Sequence, residues 1–118
     1  MLVDDEQALE ALFSQAHLPI ATHCEDEETI KTNLEYYKNK YGEAIPFSCH
    51  PKIRSAEACY ISSSKAVRLA KKFGTMLHIL HISTGKETSL FEEKTLLKDK
   101  LITAEACIHH LWFTDQDY

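Results

Sequence analysis

Two histidines stand where parallel α/β proteins place their ligands. His23 closes the short apolar run Pro19–His23, and His81 stands near the end of the strand-like run Met76–Ile82. Because ligands collect at the carboxyl ends of parallel strands, the two imidazoles would lie side by side if the strands are neighbours. Imidazole is a common zinc ligand, so the pair could supply half of a four-coordinate site. On the pattern alone, buried, hydrogen-bonded histidines are an equally good interpretation.

Four other histidines carry weaker signals. His78 lies three residues before His81, and because side chains alternate along a strand it is expected to face the other side of the sheet. His109 and His110 follow the third predicted strand. Adjacent side chains diverge in an extended chain, so at most one of them can face the site, and packing or capping is favoured over ligation. His50 lies in a proline-containing loop, where it either contacts a substrate or is solvated.

Cysteine and carboxylate side chains follow His23 directly. Cys24 suggests a nucleophile, but no general base stands at a spacing that the sequence establishes, so a small buried residue is favoured. Glu25 and Asp26 could act as an acid–base pair, although acidic residues at the start of a helix more often interact with the helix dipole. The four cysteines form no C-x-x-C pair, which predicts reduced thiols.

The periodicity of apolar residues predicts the elements that position these side chains. The predicted helices cover Asp4–Ala16, Glu25–Tyr41, Ser55–Phe73 and Glu87–Glu93, and the predicted strands cover Pro19–His23, Met76–Ile82 and Leu101–Cys107. A loop over residues 43–54 and a charged connection over residues 94–100 join them. Strands that alternate with helices predict an α/β fold with a parallel sheet.

Length and charge narrow the classes of protein. The chain has 118 residues, enough for one core but too few for a closed eight-stranded barrel of about 250 residues. Three strands leave two open edges, so residues 1–118 are expected to be a single, incomplete segment. The net charge of −5 argues against nucleic acid. The longest uncharged stretch, Thr75–Gly85, is too short to span a bilayer, and the acidic start is unlike a signal peptide, which predicts a cytoplasmic protein.

Four segments together resemble the dihydroorotase family of the amidohydrolase superfamily. Hydantoinases and allantoinases share the strand-end histidines but usually lack the His-Cys-Glu-Asp and His-His-Leu forms, so they rank below dihydroorotase. The position before His109 is Ile108, where relatives often have proline. The segments are His23-Cys24-Glu25-Asp26, His50–Ala58 with its Arg-x-x-Glu-Ala pattern, His81-Ile82-Ser83-Thr84, and Glu105–Leu111.

The resemblance implies a partial (β/α)8 TIM barrel, running from the helix after strand four to just beyond strand seven. It makes His23 the strand-five ligand and His81 the strand-six ligand of one metal in a two-metal site, usually zinc. The family's strand-one His-x-His pair and arginine, strand-four lysine and strand-eight aspartate have no counterpart here. The resemblance therefore assigns no catalytic residue to this segment, leaves substrate-binding residues unknown, and predicts that the segment alone is inactive.

The implied reaction is the reversible conversion of N-carbamoyl-L-aspartate to dihydroorotate in pyrimidine biosynthesis. The expected partner is a small-molecule substrate, with neither nucleic acid nor membrane, and assembly as a homo-oligomer stays open. Two other hypotheses remain at this point. One is a non-catalytic, dihydroorotase-like scaffold subunit, and the other is a self-contained small α/β binding domain in which both strand-end histidines are structural.

Overall fold

A computed structural model describes residues 5–117 of the chain. The predicted first helix residue, Asp4, and the three residues before it lie outside the described residues. The helices are α1 (Glu6–Gln15), α2 (Glu27–Tyr41), α3 (His50–Ile53) and α4 (Ala56–Phe73), and the strands are β1 (Ile20–Thr22), β2 (Leu77–Ile79) and β3 (Ile102–Ala104). Single 3-10 turns cover Phe47–Cys49, Gly85–Leu90, Leu97–Asp99, Ile108–Leu111 and Asp115–Asp117.

The three strands form one parallel sheet in the order β1-β2-β3. Thr22 pairs with Ile79, and Ile79 pairs with Ala104 on its other side. Backbone hydrogen bonds continue beyond the strands, since the Leu80 amide donates to the Thr22 carbonyl at 3.0 Å. The predicted parallel strands alternating with helices are confirmed, and the carboxyl ends of β1 and β2 lie next to each other.

The core lies between this sheet and α4. Ser55 caps the start of α4 by accepting a hydrogen bond from the Ala58 amide, and Gly74 ends it in the left-handed conformation at φ 66°. Leu69 of α4 is 1% exposed, and the strand residues Leu77 and Ile79 are 2% and 1% exposed. α1 covers the same layer through Phe13, whose carbonyl accepts a hydrogen bond from the Thr75 hydroxyl at 2.6 Å. This packing fixes β2 against a long helix.

The segment after β2 differs from the prediction. A 3-10 turn over Gly85–Leu90 replaces the predicted helix Glu87–Glu93. The hydroxyls of Thr88 and Ser89 donate to the carbonyls three residues before them, which competes with the α-helical hydrogen bonds. Thr84 still caps the turn, because its hydroxyl accepts from the Glu87 amide. The capping signal was correct, but the element that it begins is shorter and tighter than expected.

The predicted loop over residues 43–54 contains two short turns of helix. The 3-10 turn Phe47–Cys49 leads directly into α3, with Pro51 in the first turn of α3. Proline is tolerated there because the amides of the first turn have no partner within the helix. The proline content that suggested a loop is therefore also compatible with the start of a helix.

Part of the apolar surface is uncovered. No residue of α2 is buried, and the segment after β3 exposes Ile108, Leu111 and Trp112 at 84%, 78% and 79%. The outer edges of β1 and β3 pair with no other strand among residues 5–117. Along the described part of the chain, no helix combines the length and apolar character needed to cross a membrane.

Candidate metal centre

The structure brings His23 and His81 into direct contact. His23 follows the last residue of β1, and His81 lies two residues beyond β2. Nδ1 of His23 lies 3.0 Å from Nε2 of His81, and the ring centroids are 4.8 Å apart. The two imidazoles lie side by side, as expected for the ends of neighbouring strands. Their role as metal ligands remains a prediction.

The backbone of His81 has an unusual conformation. Its φ is 38°, and among residues 5–117 it is the one non-glycine residue with a positive φ. Such a conformation is uncommon outside glycine and costs about 1–2 kcal/mol per residue for side chains with a Cβ. Backbone strain of this kind is found preferentially at functional sites. The positive φ lies in the turn directly after β2, where His81 approaches His23.

A carboxylate fixes the orientation of His23. Nε2 of His23 lies 2.9 Å from a carboxylate oxygen of Glu25. The same carboxylate accepts two hydrogen bonds from the Arg54 guanidinium, one of them from Nε at 3.0 Å. An ionised carboxylate only accepts, so neutral His23 donates from Nε2 and keeps its Nδ1 lone pair towards His81. The hydrogen bond to Glu25 raises the pKa of Arg54, which keeps this pair charged.

The two nitrogen atoms fit one metal ion. In a tetrahedral zinc site with Zn–N distances of about 2.0–2.1 Å, two ligand nitrogens are separated by about 3.3 Å. The separation of 3.0 Å between His23 Nδ1 and His81 Nε2 is within about 0.3 Å of that value. The other nitrogen of His23 donates to a carboxylate, which is the usual arrangement around histidine ligands of metals. These two residues would supply two of the ligands.

A small pocket of about 150 Å³ lies beside the two histidines, and its walls include Cys24, Cys59 and Glu87. Burial raises the pKa of the Cys24 thiol, and burial followed by the nearby Glu87 raises the pKa of Cys59 to about 11. Both thiols are therefore protonated at neutral pH. This agrees with the sequence interpretation of Cys24 as a small buried residue, because a protonated thiol is a poor nucleophile.

The adjacent histidines after β3 correct one expectation. Ile108–Leu111 form a 3-10 turn rather than extended chain, so the rings of His109 and His110 do not diverge. Their centroids are 4.1 Å apart in an edge-to-face arrangement. Only His110 of the two contributes to the pocket of His23 and His81. Burial, and then the neighbouring His109, lower the pKa of His110.

His78 and His50 lie outside this pocket. Nδ1 of His78 lies 2.8 Å from the Thr103 hydroxyl, and its Nε2 lies 3.4 Å from a Glu105 carboxylate oxygen. These contacts tie β2 to β3 and match the structural role expected for His78. His50 is the first residue of α3 and stacks on Phe47 with ring centroids 5.9 Å apart.

Sequence reasoning missed the role of Glu25. The expectation that Glu25 serves mainly the dipole of α2 is wrong, because its carboxylate binds Arg54 and His23 instead. Asp26 does cap α2, accepting a hydrogen bond from the Thr29 amide at 3.0 Å. Arg54 lies 29 residues from Glu25, so no local spacing reveals the pair. The one available signal was the Arg-x-x-Glu-Ala pattern that begins at Arg54.

Comparison with known proteins finds relatives among cyclic amide hydrolases. No protein-family model matches the chain. A dihydroorotase from Methanosphaera stadtmanae is 33% identical over 106 residues, which cover 89% of this chain and 24% of that protein. An allantoinase from Solibacter usitatus is also 33% identical, over 120 residues that cover 97% of this chain and 25% of that protein. The chain thus spans about a quarter of the length of these curated relatives.

Solved structures with a similar fold are hydantoinases. The L-hydantoinase from Arthrobacter aurescens has a TM-score of 0.80 at 19% identity, covering 94% of this chain and 25% of that protein. The D-hydantoinase from Thermus sp. has a TM-score of 0.75 at 15% identity, covering 97% of this chain and 25% of that protein. These neighbours confirm the predicted fold as part of a (β/α)8 barrel. The relatives in sequence support the predicted superfamily and include both dihydroorotase and allantoinase.

Proposed function

We propose, from the premise that this chain belongs to the amidohydrolase superfamily, that residues 1–118 form one segment of a metal-dependent cyclic amide hydrolase barrel. In this proposal His23 and His81 hold one metal ion, and zinc is the ion that two imidazoles favour. The observation that carries the proposal is the 3.0 Å contact between His23 Nδ1 and His81 Nε2, with Glu25 bound to the opposite nitrogen of His23.

The residues of this chain act as an oriented half-site. His23 presents Nδ1 because Nε2 is engaged by Glu25, and the Arg54 guanidinium binds the same carboxylate. Burial raises the pKa of the Cys24 and Cys59 thiols, and the proposal assigns neither of them as a ligand. A metal ion bound in such a site polarises a carbonyl oxygen and acidifies a bound water molecule.

The proposed reaction of the whole protein is that of dihydroorotase. In the hydrolytic direction water adds across a ring amide of dihydroorotate, the C–N bond breaks, and N-carbamoyl-L-aspartate is released. The His-Cys-Glu-Asp and His-His-Leu forms support this substrate. A second candidate is hydrolysis of allantoin, which the equal identity to an allantoinase favours. We place the protein in the cytoplasm, where it acts on a small-molecule substrate. The proposal includes neither a nucleic-acid partner nor a membrane.

Metal binding by the 118-residue chain tests the half-site directly. Zinc titration of the chain by isothermal titration calorimetry is expected to show binding at this pair, with one bound ion fewer in the His23→Asn and His81→Asn variants than in the parent chain. His17→Asn is the matched control, because it removes an exposed histidine outside the pocket. Equal binding by the parent chain and the His23→Asn variant would contradict the proposed ligand set.

Substrate identity is tested separately from metal binding. We expect the chain alone, with zinc added, to turn over no dihydroorotate, because it supplies two ligands and no general base. The full-length protein that carries this segment is expected to hydrolyse dihydroorotate faster than allantoin or hydantoin. Faster hydrolysis of allantoin would select the second candidate, and absence of all three activities with the metal bound would favour the scaffold hypothesis.

A further inference from the structure

We propose that Cys107, His109 and His110 form a second metal site, distinct from the His23–His81 pair, for zinc or a chemically similar divalent ion. Cys107 is partly buried and lies directly before the 3-10 turn Ile108–Leu111, which holds both histidines. A thiolate sulfur and two imidazole nitrogens are a typical set of zinc ligands. The proposed function gives these residues no role.

The local backbone brings the three side chains together. The His110 amide donates to the Cys107 carbonyl at 2.9 Å, which closes the turn. In a 3-10 turn, side chains three residues apart lie on the same side, so Cys107 and His110 face the same way. The ligand atoms of Cys107, His109 and His110 all lie within 4.8 Å of one another. This convergence comes from a single turn and needs no other segment of the chain.

An unsatisfied buried atom gives the second argument. Nδ1 of His110 is buried and has no hydrogen-bond partner among residues 5–117. Buried polar atoms are nearly always paired, so an orphaned ring nitrogen requires an explanation. Nδ1 of a neutral imidazole is a good metal ligand, and a neighbouring thiol and a second imidazole are within reach of the same ion.

The distances allow binding with small side-chain rotations. In a tetrahedral site with Zn–S of about 2.3 Å and Zn–N of about 2.0–2.1 Å, sulfur and nitrogen are separated by about 3.5 Å. The ligand atoms therefore need to approach by at most about 1.5 Å from their limit of 4.8 Å. Binding replaces the thiol proton of Cys107 by the metal and releases that proton to solvent.

Cobalt(II) distinguishes the two sites, because a sulfur ligand is proposed for only one of them. Titrating the reduced chain with Co²⁺ is expected to give a near-ultraviolet thiolate-to-cobalt absorption band and two bound ions per chain. The Cys107→Ser variant is expected to lose the band and bind one ion. His23→Asn is expected to keep the band and also bind one ion, so failure of the proposed function leaves this result readable.

Two variants guard against indirect effects. Cys49→Ser removes a buried thiol that belongs to neither site, and it is expected to keep the absorption band. His109→Asn keeps all four thiols and is expected to shift the visible cobalt bands and weaken binding. A near-ultraviolet band that persists in Cys107→Ser would overturn the proposal. So would a parent chain without any thiolate band, whether or not cobalt binds at His23 and His81.

Discussion

Replacing Glu25 by glutamine tests whether a carboxylate orients His23, the proposed metal ligand. The Glu25 side chain is 12% exposed and accepts hydrogen bonds from both His23 and Arg54. Glutamine has nearly the same shape but offers one acceptor oxygen and a donor amide. Its oxygen can still accept from His23 and one Arg54 nitrogen, but its amide then faces the donating Nε of Arg54, so His23 loses its charged partner and a part of its population exchanges the proton to Nδ1.

The expected loss follows from this geometry. Carboxylates that hold a histidine ligand typically contribute 10–100-fold to metal affinity. We expect the Glu25→Gln variant to bind zinc about 10–100-fold more weakly, which corresponds to about 1.4–2.7 kcal/mol. A loss in this range is also of the size of a hydrogen bond to a charged group. Arg54→Gln is expected to cause a smaller loss, because Glu25 keeps its contact with His23.

Two measurements check the prediction. Calorimetric titration with zinc gives the affinity, and nitrogen-15 NMR of the histidine rings without metal reports which nitrogen of His23 carries the proton. Glu57→Gln is the matched control, because Glu57 forms an exposed ion pair with Lys86 at 2.7 Å. Unchanged affinity together with an unchanged Nε2–H tautomer in Glu25→Gln would refute the reasoning. A tautomer change without an affinity change would restrict it to the metal-free chain.

Three further predictions concern stability and association. The unfolding free energy of His81→Gly, measured in urea, is expected to be about 0.5–1 kcal/mol higher than that of His81→Ala, because glycine adopts φ 38° without strain. The reverse order would show that the backbone relaxes at this position. Cys59 stays protonated up to a pKa of about 11 when folded, against 9.0 ordinarily. The contribution of Cys59 to the unfolding free energy is therefore present below pH 9 and is lost as the pH rises from 9 to 11, by up to about 2 kcal/mol. The Cys59→Ser variant should flatten this part of the pH profile. Trp112→Ser is expected to reduce self-association, measured by sedimentation velocity, more than Leu18→Ser does. The two side chains are similarly exposed, at 79% and 77%. Equal effects would show that the segment after β3 forms no self-association surface.

The sequence pattern was sufficient to predict the sheet and the placement of His23 beside His81. Strand ends are set by local signals, and parallel strands place their carboxyl ends at one edge, so His23 and His81 could be paired from position alone. The pair of Glu25 and Arg54 was not predictable in this way. It joins the residue after Cys24 to the end of α3, and only the packing of the loop over residues 43–54 decides which carboxylate the guanidinium meets.

The turn after β3 shows the opposite limit of sequence reasoning. Alternation of side chains applies only to extended chain, and the segment that carries His109 and His110 is a 3-10 turn. Nothing in the local composition excludes either conformation. The rings of the two histidines were expected to diverge, but the 3-10 backbone of this turn places their centroids 4.1 Å apart.

Orientation and coordination are separable properties in this segment. The tautomer of His23 is fixed by Glu25 and Arg54, both of which lie within the chain, so the ring is oriented before any metal arrives. Coordination is different, because two nitrogens leave at least two positions of a tetrahedral ion unfilled. If the remaining ligands come from other strands of the same barrel, metal binding links this segment to them. The free energy of closing the barrel and the affinity for the metal are then thermodynamically coupled.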